Sequence, residues 1–406
     1  MLLRNESLNS SVQSRKVRLT RLGMHFVFVS TFAMLGGALR GFNLLLVVAG
    51  ILVGALFVQW RWSRGALMAL SIRRRLPTEA FAGKAFAVNF EVTNHSAWMS
   101  LWLLRVEDQV KSRAPQHERE PIGTPYGGAI QYIAAASTAT TSSMMVPQSR
   151  GRLTFGPLRV ASSFPLDLLT AKVTDNHDET LEVFPNLVTL KRGWQRALSG
   201  RHEGVSRASE RSGRSDGDFF GLRPYRDGDT LRKIHWRTSA RLNEPVVSQY
   251  EQSQRYELCV LVDGFLATPK TSNVNVELAI SVAASLVLRL SGLTTNRIVL
   301  VAAGRQPLAM MAGASAEQKR EVLSLLSRLE VTDSPTFTAA LDQAAGVGGR
   351  FKDLLVVSPR ARNPTLASTS DEERRVFDRW LRRRALRWID VSSAAERGWF
   401  EVSNEK

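Results

Sequence analysis

A long apolar stretch near the amino terminus constrains the fold more than any other feature. Residues 24–60 are almost entirely hydrophobic, apart from a short interruption at 40–43. A single helix of this length would measure about 55 Å, whereas the hydrocarbon core of a bilayer is about 30 Å thick. The stretch therefore predicts a hairpin of two transmembrane helices, at about 22–39 and 42–60, whose turn puts Arg40 at the far membrane surface.

The charges on either side of this stretch predict its orientation. Residues 1–23 carry five basic side chains against one acidic one, and residues 61–75 carry five with no acid. Positive flanks stay on the cytoplasmic side, and interfacial tryptophans such as Trp60 and Trp62 suit the near surface. We therefore expect a multi-pass protein of the bacterial inner membrane, with residues 1–21 as a cytoplasmic tail and the globular part in the cytoplasm.

Two other interpretations of the apolar stretch stay open. A cleaved signal peptide would use Met24–Leu39 as its apolar region, but a second apolar stretch follows directly and no clear small-residue cleavage site precedes it. A helical hairpin buried in a soluble protein would normally keep a polar face, which this stretch lacks. Both fit the sequence less well than a membrane hairpin.

Composition limits the remaining functions. The chain has 406 residues, enough for two or three domains beside an anchor, and a net charge of +17. Such charge suits nucleic acid or an anionic membrane surface, but it is spread along the chain and forms no single stripe, so we expect no nucleic-acid binding. Cys259 is the only cysteine, which excludes an intramolecular disulfide and is typical of a reducing compartment.

Residues 76–190 show the alternation of a β-rich region. Phe86, Val88, Phe90 and Val92 would share one face of a strand. Further strands are predicted near 100–107, 139–147, 152–160 and 181–184, and a loop at Gly123–Gly128. We expect a small antiparallel sandwich without a metal site, because the histidines lack the spacing of metal ligands.

Residues 257–395 predict a doubly wound α/β domain. Buried strands are expected at 257–263, 298–302, 354–357 and 386–391, and helices at 275–290, 315–330 and 371–385. This alternation indicates a parallel sheet that is covered on both faces. The arginine-rich helix 371–385 is expected to have a solvated basic face, with contact to anionic lipid as the alternative.

Between these regions, residues 191–256 combine a polar linker with a distinctive motif. The motif contains GLRPY at 221–225, DGD at 227–229, LRKIHW at 231–236 and SAR at 239–241. These elements resemble the signature of the DUF58 family, a domain of unknown function. The family's order of parts also resembles the chain over nearly its whole length: two transmembrane helices, a β-rich region, this motif and a von Willebrand factor A-like domain. The chain departs from it at His235, where the family often has Asp.

The motif has two interpretations beside a catalytic one. Its arginines lie close to carboxylates in sequence, which permits an internal ion-pair lattice, while exposed guanidinium groups would bind an acidic protein surface or a phosphate. Catalysis is not expected, because the motif holds no nucleophile and base with a third partner. The candidate structural or partner-binding residues are Gly221, Arg223, Tyr225, Gly228, Asp229, Arg232, Trp236, Ala240 and Arg241.

The resemblance also implies where a metal would bind. Asp263 ends the first strand of the α/β domain, where von Willebrand A domains begin a D-x-S-x-S metal motif, but Phe265 and Ala267 replace both serines. Thr336 loosely resembles the metal-site threonine, and Ser358 stands where a second aspartate is usual. With most hard oxygen ligands missing, we expect no bound metal or other cofactor, and Asp263 is a degenerate site position.

The resemblance implies work beside MoxR-type AAA+ ATPases in assembling or remodelling a client. The chain has no G-x-x-x-x-G-K-[ST] loop, so ATP hydrolysis would belong to the partner. We expect a membrane-anchored, non-catalytic interaction or scaffold protein, in contact with membrane lipid and such an ATPase. The alternatives are a membrane-bound enzyme of unknown activity and a nucleic-acid-binding protein. The sequence does not reveal the oligomeric state.

Overall fold

The structure is a computed structural model of the whole chain. It describes residues 13–114, 117–121, 126–191, 194, 218–227, 229, 231, 234–251, 257–265, 273–292, 296–333, 337–348, 351–360, 371, 374–375, 379, 382, 385–393 and 398–402. The chain divides into two compact units. The first comprises Met1–Asn186, Leu326–Glu330 and Asn404–Lys406, and the second comprises Leu187–Leu325 and Val331–Ser403.

Two apolar helices begin the first unit. Helix α1 spans Arg21–Arg40 and helix α2 spans Asn43–Ala69, and both are long and apolar enough to cross a membrane. They are joined at Gly41, which ends α1 in the left-handed conformation with φ 68°. A Cβ atom on Gly37 would lie 2.9 Å from Leu46 Cγ, so this glycine lets the two helices approach closely. The two helices can therefore form the expected hairpin.

Helix α2 differs from its predicted range of 42–60, because it continues to Ala69. The additional residues are compatible with helix, and Ser63 and Ala66 are buried. Ala66 belongs to the hydrophobic core of the β strands that follow. The helix therefore does not end at the predicted membrane surface but continues into the β-rich part of the first unit.

Eleven strands are described in the first unit. They are β1 (Gln13–Leu19), β2 (Leu70–Arg75), β3 (Ala80–Phe81), β4 (Phe86–Asn94), β5 (Leu101–Ala114), β6 (His117–Pro121), β7 (Tyr126–Ile133), β8 (Thr138–Met145), β9 (Gly151–Ser162), β10 (Leu169–Asp175) and β11 (Glu179–Phe184). One sheet has the order β1-β10-β9-β11-β3, with β5 joining β9 to β6 and β7, and a three-stranded sheet has the order β2-β4-β8. Buried side chains of both sheets form one core.

Residues 13–19, within the predicted tail, form β1, which pairs antiparallel with β10. Two expectations for the β-rich region were wrong. Gly127 and Gly128, expected in a loop, lie in β7 and pair with β5. The larger sheet is mixed and not antiparallel, because β11 and β3 are parallel. By contrast, the alternation at 86–92 is confirmed, since the four apolar side chains that predicted it are buried.

An ion pair lies inside the first unit. The Arg74 guanidinium donates to both carboxylate oxygens of Asp108, at 2.7 and 2.8 Å, and both side chains are only 1% exposed. Arg74 therefore forms a buried ion pair among the β strands. The sequence interpretation had counted it among the charges that orient the hairpin. Its neighbour Arg75 pairs with Glu91 at 2.6 Å.

The second unit contains a five-stranded sheet and a separate hairpin. Its strands are β12 (Val188–Leu190), β13 (Asp218–Pro224), β14 (Val246–Glu251), β15 (Glu257–Asp263), β16 (Arg297–Ala303), β17 (Leu308–Ala312), β18 (Asp353–Ser358), β19 (Leu386–Asp390) and β20 (Phe400–Val402), and its helices are α3 (Trp236–Leu242), α4 (Asn273–Ser291), α5 (Ala316–Ser327) and α6 (Phe337–Gly348). The sheet has the order β17-β16-β15-β18-β19, in which only β17 is antiparallel to its neighbour.

Burial explains how this sheet forms. Leu258–Asp263 of β15 is buried at every position, as expected of a strand covered on both faces. Helix α4 is apolar enough to cross a membrane, but 67% of that span is buried in the protein, against 22% and 11% for α1 and α2. It is therefore a core helix. Strand β17 and helix α6 were not predicted, and helix 371–385 lies largely outside the described residues.

Candidate functional site

The motif that was singled out in the sequence forms a hairpin with a short helix. Strands β13 and β14 pair antiparallel, with an irregularity between Phe219 and Gly221. Beyond β13, the Tyr225 amide donates to the carbonyl oxygen of Pro245 at 2.9 Å. Gly221 therefore lies in the strand pair, and Tyr225 lies at the end where the chain leaves β13 toward α3. Gly228 and Arg232 lie outside the described residues.

One arginine of the motif is held by an internal ion pair. Arg223 donates two hydrogen bonds to Asp229, at 2.6 and 2.5 Å, and the Arg226 amide donates a third at 2.9 Å. The Arg223 side chain lowers the pKa of Asp229 to about 2, assisted by that amide. The carboxylate thereby ties the turn after β13 to the strand itself, which makes the pair structural.

His235 caps the amino terminus of helix α3. It is the residue at which the chain departs from the DUF58 pattern that it resembles. The His235 ring nitrogen Nδ1 accepts from the Thr238 amide at 3.3 Å and lies 2.9 Å from the Thr238 hydroxyl. Aspartate is a preferred residue at this capping position, because its side chain accepts from the same type of amide. The histidine thus fulfils the capping role that an aspartate would have.

Ser239 attaches α3 to strand β14. Its hydroxyl accepts from the Val246 amide at 2.9 Å and donates to the His235 carbonyl oxygen at 3.1 Å. It is the one residue of α3 described as buried. One face of the helix is therefore fixed, and the remaining faces are directed outward.

The outward faces of α3 are apolar and basic. Trp236 is 67% exposed, and Ala240, one turn later, is also exposed. Arg237 and Arg241 are exposed at the same spacing, and among the residues that the structure describes neither has an ion-pair partner. We call these four residues the α3 face. They combine a large apolar surface with exposed positive charge.

A second cluster surrounds Asp263 at the carboxyl end of β15. This carboxylate is fully buried and accepts from the Ser358 hydroxyl at 2.7 Å, from Arg360 Nε at 2.9 Å and from the Phe265 amide at 3.1 Å. The Arg360 guanidinium also lies 4.1 Å from the ring centre of Phe265. Burial raises the pKa of Asp263, whereas the charge of Arg360 opposes that rise.

This cluster does not fit a divalent cation. A metal needs the carboxylate oxygens of Asp263, but three protein donors already use them and Arg360 supplies the positive charge. Within the described residues, no group of three or more His, Cys, Asp or Glu side chains could hold a metal ion. Ala267 and Thr336 lie outside the described residues.

Comparison with known proteins identifies the region that contains both clusters. Residues 221–371 match the DUF58 family, described as a protein of unknown function. The DUF58 match begins in β13, includes α3 and the Asp263 cluster, and ends after β18. No curated protein matches the chain.

Solved structures give only distant likeness. The CARDB domain of PF1109 from Pyrococcus furiosus has 10% identity and a TM-score of 0.19, over 28% of this chain and 94% of that one. Beta-glucosidase from Listeria innocua has 15% identity and a TM-score of 0.21, over 28% of this chain and 16% of that one. Superoxide reductase (neelaredoxin) from Ignicoccus hospitalis has 14% identity and a TM-score of 0.18 over 28% and 79%. Likeness at this level supports no conclusion about fold or function.

Sequence reasoning missed Arg360, which decides the chemistry of the Asp263 cluster. It lies two residues beyond Ser358, and its amide donates to the Ser358 hydroxyl at 3.2 Å. The sequence showed that Phe265 and Ser358 differ from the metal ligands that the resemblance implies. The available sign in the sequence was an arginine just beyond the same strand, which can pair with Asp263.

Proposed function

We propose that this chain is a membrane-anchored, non-catalytic interaction protein of the DUF58 type, which works with a MoxR-type AAA+ ATPase in assembling or remodelling a client. In this proposal α1 and α2 cross the bacterial inner membrane and the globular part lies in the cytoplasm. The second unit acts as a von Willebrand A-like domain whose metal site has been replaced by the Asp263–Arg360 pair.

The exposed α3 face is the observation that carries the proposal. A large apolar side chain beside unpaired arginines is typical of residues that contribute most to protein–protein binding energy, because tryptophan and arginine bury much area and make directional contacts. Trp236 has this exposure while Ser239, on the same helix, is fixed to β14. The face is thus presented on a fixed support. Its positive charge favours an acidic surface on the partner.

The chemistry of the described residues supports a binding role over catalysis. Asp263 is engaged by Arg360 and Ser358, so it is not available as a general base. Burial raises the pKa of the Cys259 thiol to about 12, which keeps it protonated and unreactive at neutral pH. Neither group has the accessible, activated state that a nucleophile requires.

A comparison of variants tests this function. The full chain, solubilised in detergent, is used to capture partners, which are identified by mass spectrometry. We expect recovery of an AAA+ ATPase with a nucleotide-binding loop, and loss of that recovery in the Trp236→Ala/Arg241→Glu variant. Arg305→Glu, an exposed arginine of the same unit outside the motif, is the matched control and should retain it. Repeated recovery of no such ATPase by the unaltered chain would reject the proposal.

A further inference from the structure

A cavity in the first unit carries four basic side chains. It has a volume of about 420 Å³ and is lined by Ser14, Lys16, Arg18, Pro157, Arg159, Lys172, Thr174 and Asn176, with no carboxylate among them. We call this the basic cavity. Among the residues that the structure describes, no ion-pair partner is found for any of its four cations. Its volume lies in the range of small-ligand sites.

The register of the strands concentrates this charge. Lys16 of β1 lies directly opposite Lys172 of β10, and Thr174 lies between Ser14 on one side and Arg159 on the other. Like charges directly opposite each other on neighbouring strands destabilise a sheet. A bound anion would remove this repulsion. Hydroxyl groups from Ser14 and Thr174 add neutral donors to the same surface.

The cavity lies close to the end of the membrane-crossing segment. Strand β1 ends at Leu19 and α1 begins at Arg21, so only Thr20 separates them. Along a strand, Lys16 is about 10 Å from Leu19. The polar headgroup layer beyond the hydrocarbon core is about 5–8 Å thick on each side. A lysine or arginine side chain is long enough to reach from its position on the strand to the headgroup layer.

The loop between β9 and β10 gives a second, independent indication of where the membrane surface would lie relative to the strands. The Thr20 hydroxyl donates to the Asp167 carbonyl oxygen at 2.6 Å, and the Leu166 amide donates to Gln59 Oε1 of α2 at 2.8 Å. The loop therefore contacts both helices where α1 begins. Phe164 of the loop lies 6.0 Å from the rings of both Trp62 and Trp102.

Apolar side chains beside this loop are exposed. Leu166 of the loop is exposed, as are Trp102, whose ring lies 6.0 Å from that of Phe164, and its neighbour Leu103. Such side chains are favourable at the membrane–water boundary, where tryptophan is enriched. Through Phe164 this exposed cluster contacts Trp62 of α2, so it would lie at the bilayer surface if α1 and α2 cross the membrane. The basic cavity lies on β9 and β10, the strands that this loop joins, and on β1, which runs into α1.

We propose that the basic cavity binds the phosphate headgroup of an anionic lipid in the leaflet next to the β strands. The group that binds is a phosphate, and it is held by two lysines, two arginines and the neighbouring hydroxyl groups. The lipid is favoured as its source because β1 runs directly into α1 and the aromatic cluster lies at the same surface. The proposal needs α1 and α2 to cross the membrane, but it is independent of the ATPase partner.

Native mass spectrometry of the detergent-solubilised full chain tests the site. Phosphatidylglycerol is titrated against phosphatidylcholine, with inorganic phosphate as the soluble competitor. The variant Lys16→Gln/Arg159→Gln/Lys172→Gln is compared with the matched control Lys84→Gln/Lys111→Gln/Arg113→Gln, which removes two lysines and one arginine of the same unit. We expect preferential binding of phosphatidylglycerol, reduced about tenfold or more by the cavity variant and unchanged by the control.

Four outcomes would overturn this proposal. They are no preference for phosphatidylglycerol, an equal loss in the control variant, retained binding in the cavity variant, and displacement of the lipid by inorganic phosphate at a similar concentration. Lys16→Gln alone keeps the test valid if the triple variant does not fold, because Lys16 is exposed. It should weaken binding of the anionic lipid. ATPase capture should be unaffected by it, which separates this proposal from the proposed function.

Discussion

Arg360 Nε donates to Asp263 Oδ2 at 2.9 Å, in a setting where both side chains are largely removed from solvent. The pair lies at the carboxyl end of a buried parallel strand, where α/β sheets usually bind ligands. Here the guanidinium of Arg360 occupies this position beside the carboxylate. The consequence is a closed, protein-internal site.

Removing Arg360 should destabilise the second unit. Arg360→Met would leave the buried Asp263 carboxylate without its cation, and breaking one side of a buried pair costs about 3–5 kcal/mol. Urea unfolding of the purified chain measures this loss. The double variant Asp263→Asn/Arg360→Met removes both charges and should recover a large part of it.

A magnesium titration provides a second test of the Asp263–Arg360 pair. If Arg360 replaces a metal, calorimetry of the unaltered chain should detect no micromolar binding of Mg²⁺. Micromolar binding, or a single Arg360→Met variant as stable as the unaltered chain, would contradict this assignment.

The ion pair of Arg223 and Asp229 predicts a dependence on pH. The pair holds the Asp229 pKa at about 2, below its ordinary 3.8. Its contribution to stability is therefore fully present above about pH 4 and is lost as the pH falls through 2. The difference in unfolding temperature between the unaltered chain and Asp229→Asn should shrink across this window. A difference that grows toward pH 2 would contradict the pair.

Gln59 should be needed to hold the β9–β10 loop against α2. Its amide group donates to the carbonyl oxygens of Ser163, Phe164 and Leu169 at 3.1–3.2 Å and accepts from the Leu166 amide. Gln59→Leu would leave these buried groups unsatisfied, at a cost of about 1–3 kcal/mol.

Hydrogen exchange locates that effect. Exchange at the amides of 163–169 should become faster in Gln59→Leu, with the chain in detergent. The control Gln131→Leu changes an exposed glutamine of the same unit and should leave these amides unchanged. Equal exchange in both variants would show that Gln59 does not position the loop.

The proposed orientation predicts the behaviour of a reporter fusion. A reporter that is active only in the periplasm, attached to the carboxyl terminus, should be inactive, since both flanks of the hairpin are basic. A reporter active only in the cytoplasm should work at the same position. Strong periplasmic activity would show that the chain has the opposite orientation. It would then contradict the cytoplasmic location of the α3 face.

Features with a local cause were predictable from the sequence. Continuous apolar residues predicted the two apolar helices α1 and α2. They also predicted strands such as β15 and β18, because a strand that is covered on both faces has no polar face. Alternation predicted β4 for the corresponding reason. These patterns depend only on neighbouring residues.

Features that depend on distant residues were not predictable. Strand β1 has a mostly polar sequence and is formed by pairing with β10. Arg74 and Gln59 acquire their roles from partners far along the chain, so the sequence interpretation assigned one to the charged flank and the other to the end of a membrane helix. In the motif, the residue types indicated arginine–carboxylate pairing, but only the geometry separates the paired Arg223 from the exposed Arg241.

Site-specific photocrosslinking in the membrane-bound full chain tests the central claim most directly. A photoreactive amino acid in place of Trp236 should crosslink to an AAA+ ATPase, and the same residue in place of Arg305 should not. Addition of Arg241→Glu should reduce the yield at position 236. An absence of ATPase crosslinks from position 236, or equal yields from positions 236 and 305, would contradict an interaction protein that binds its partner through the α3 face.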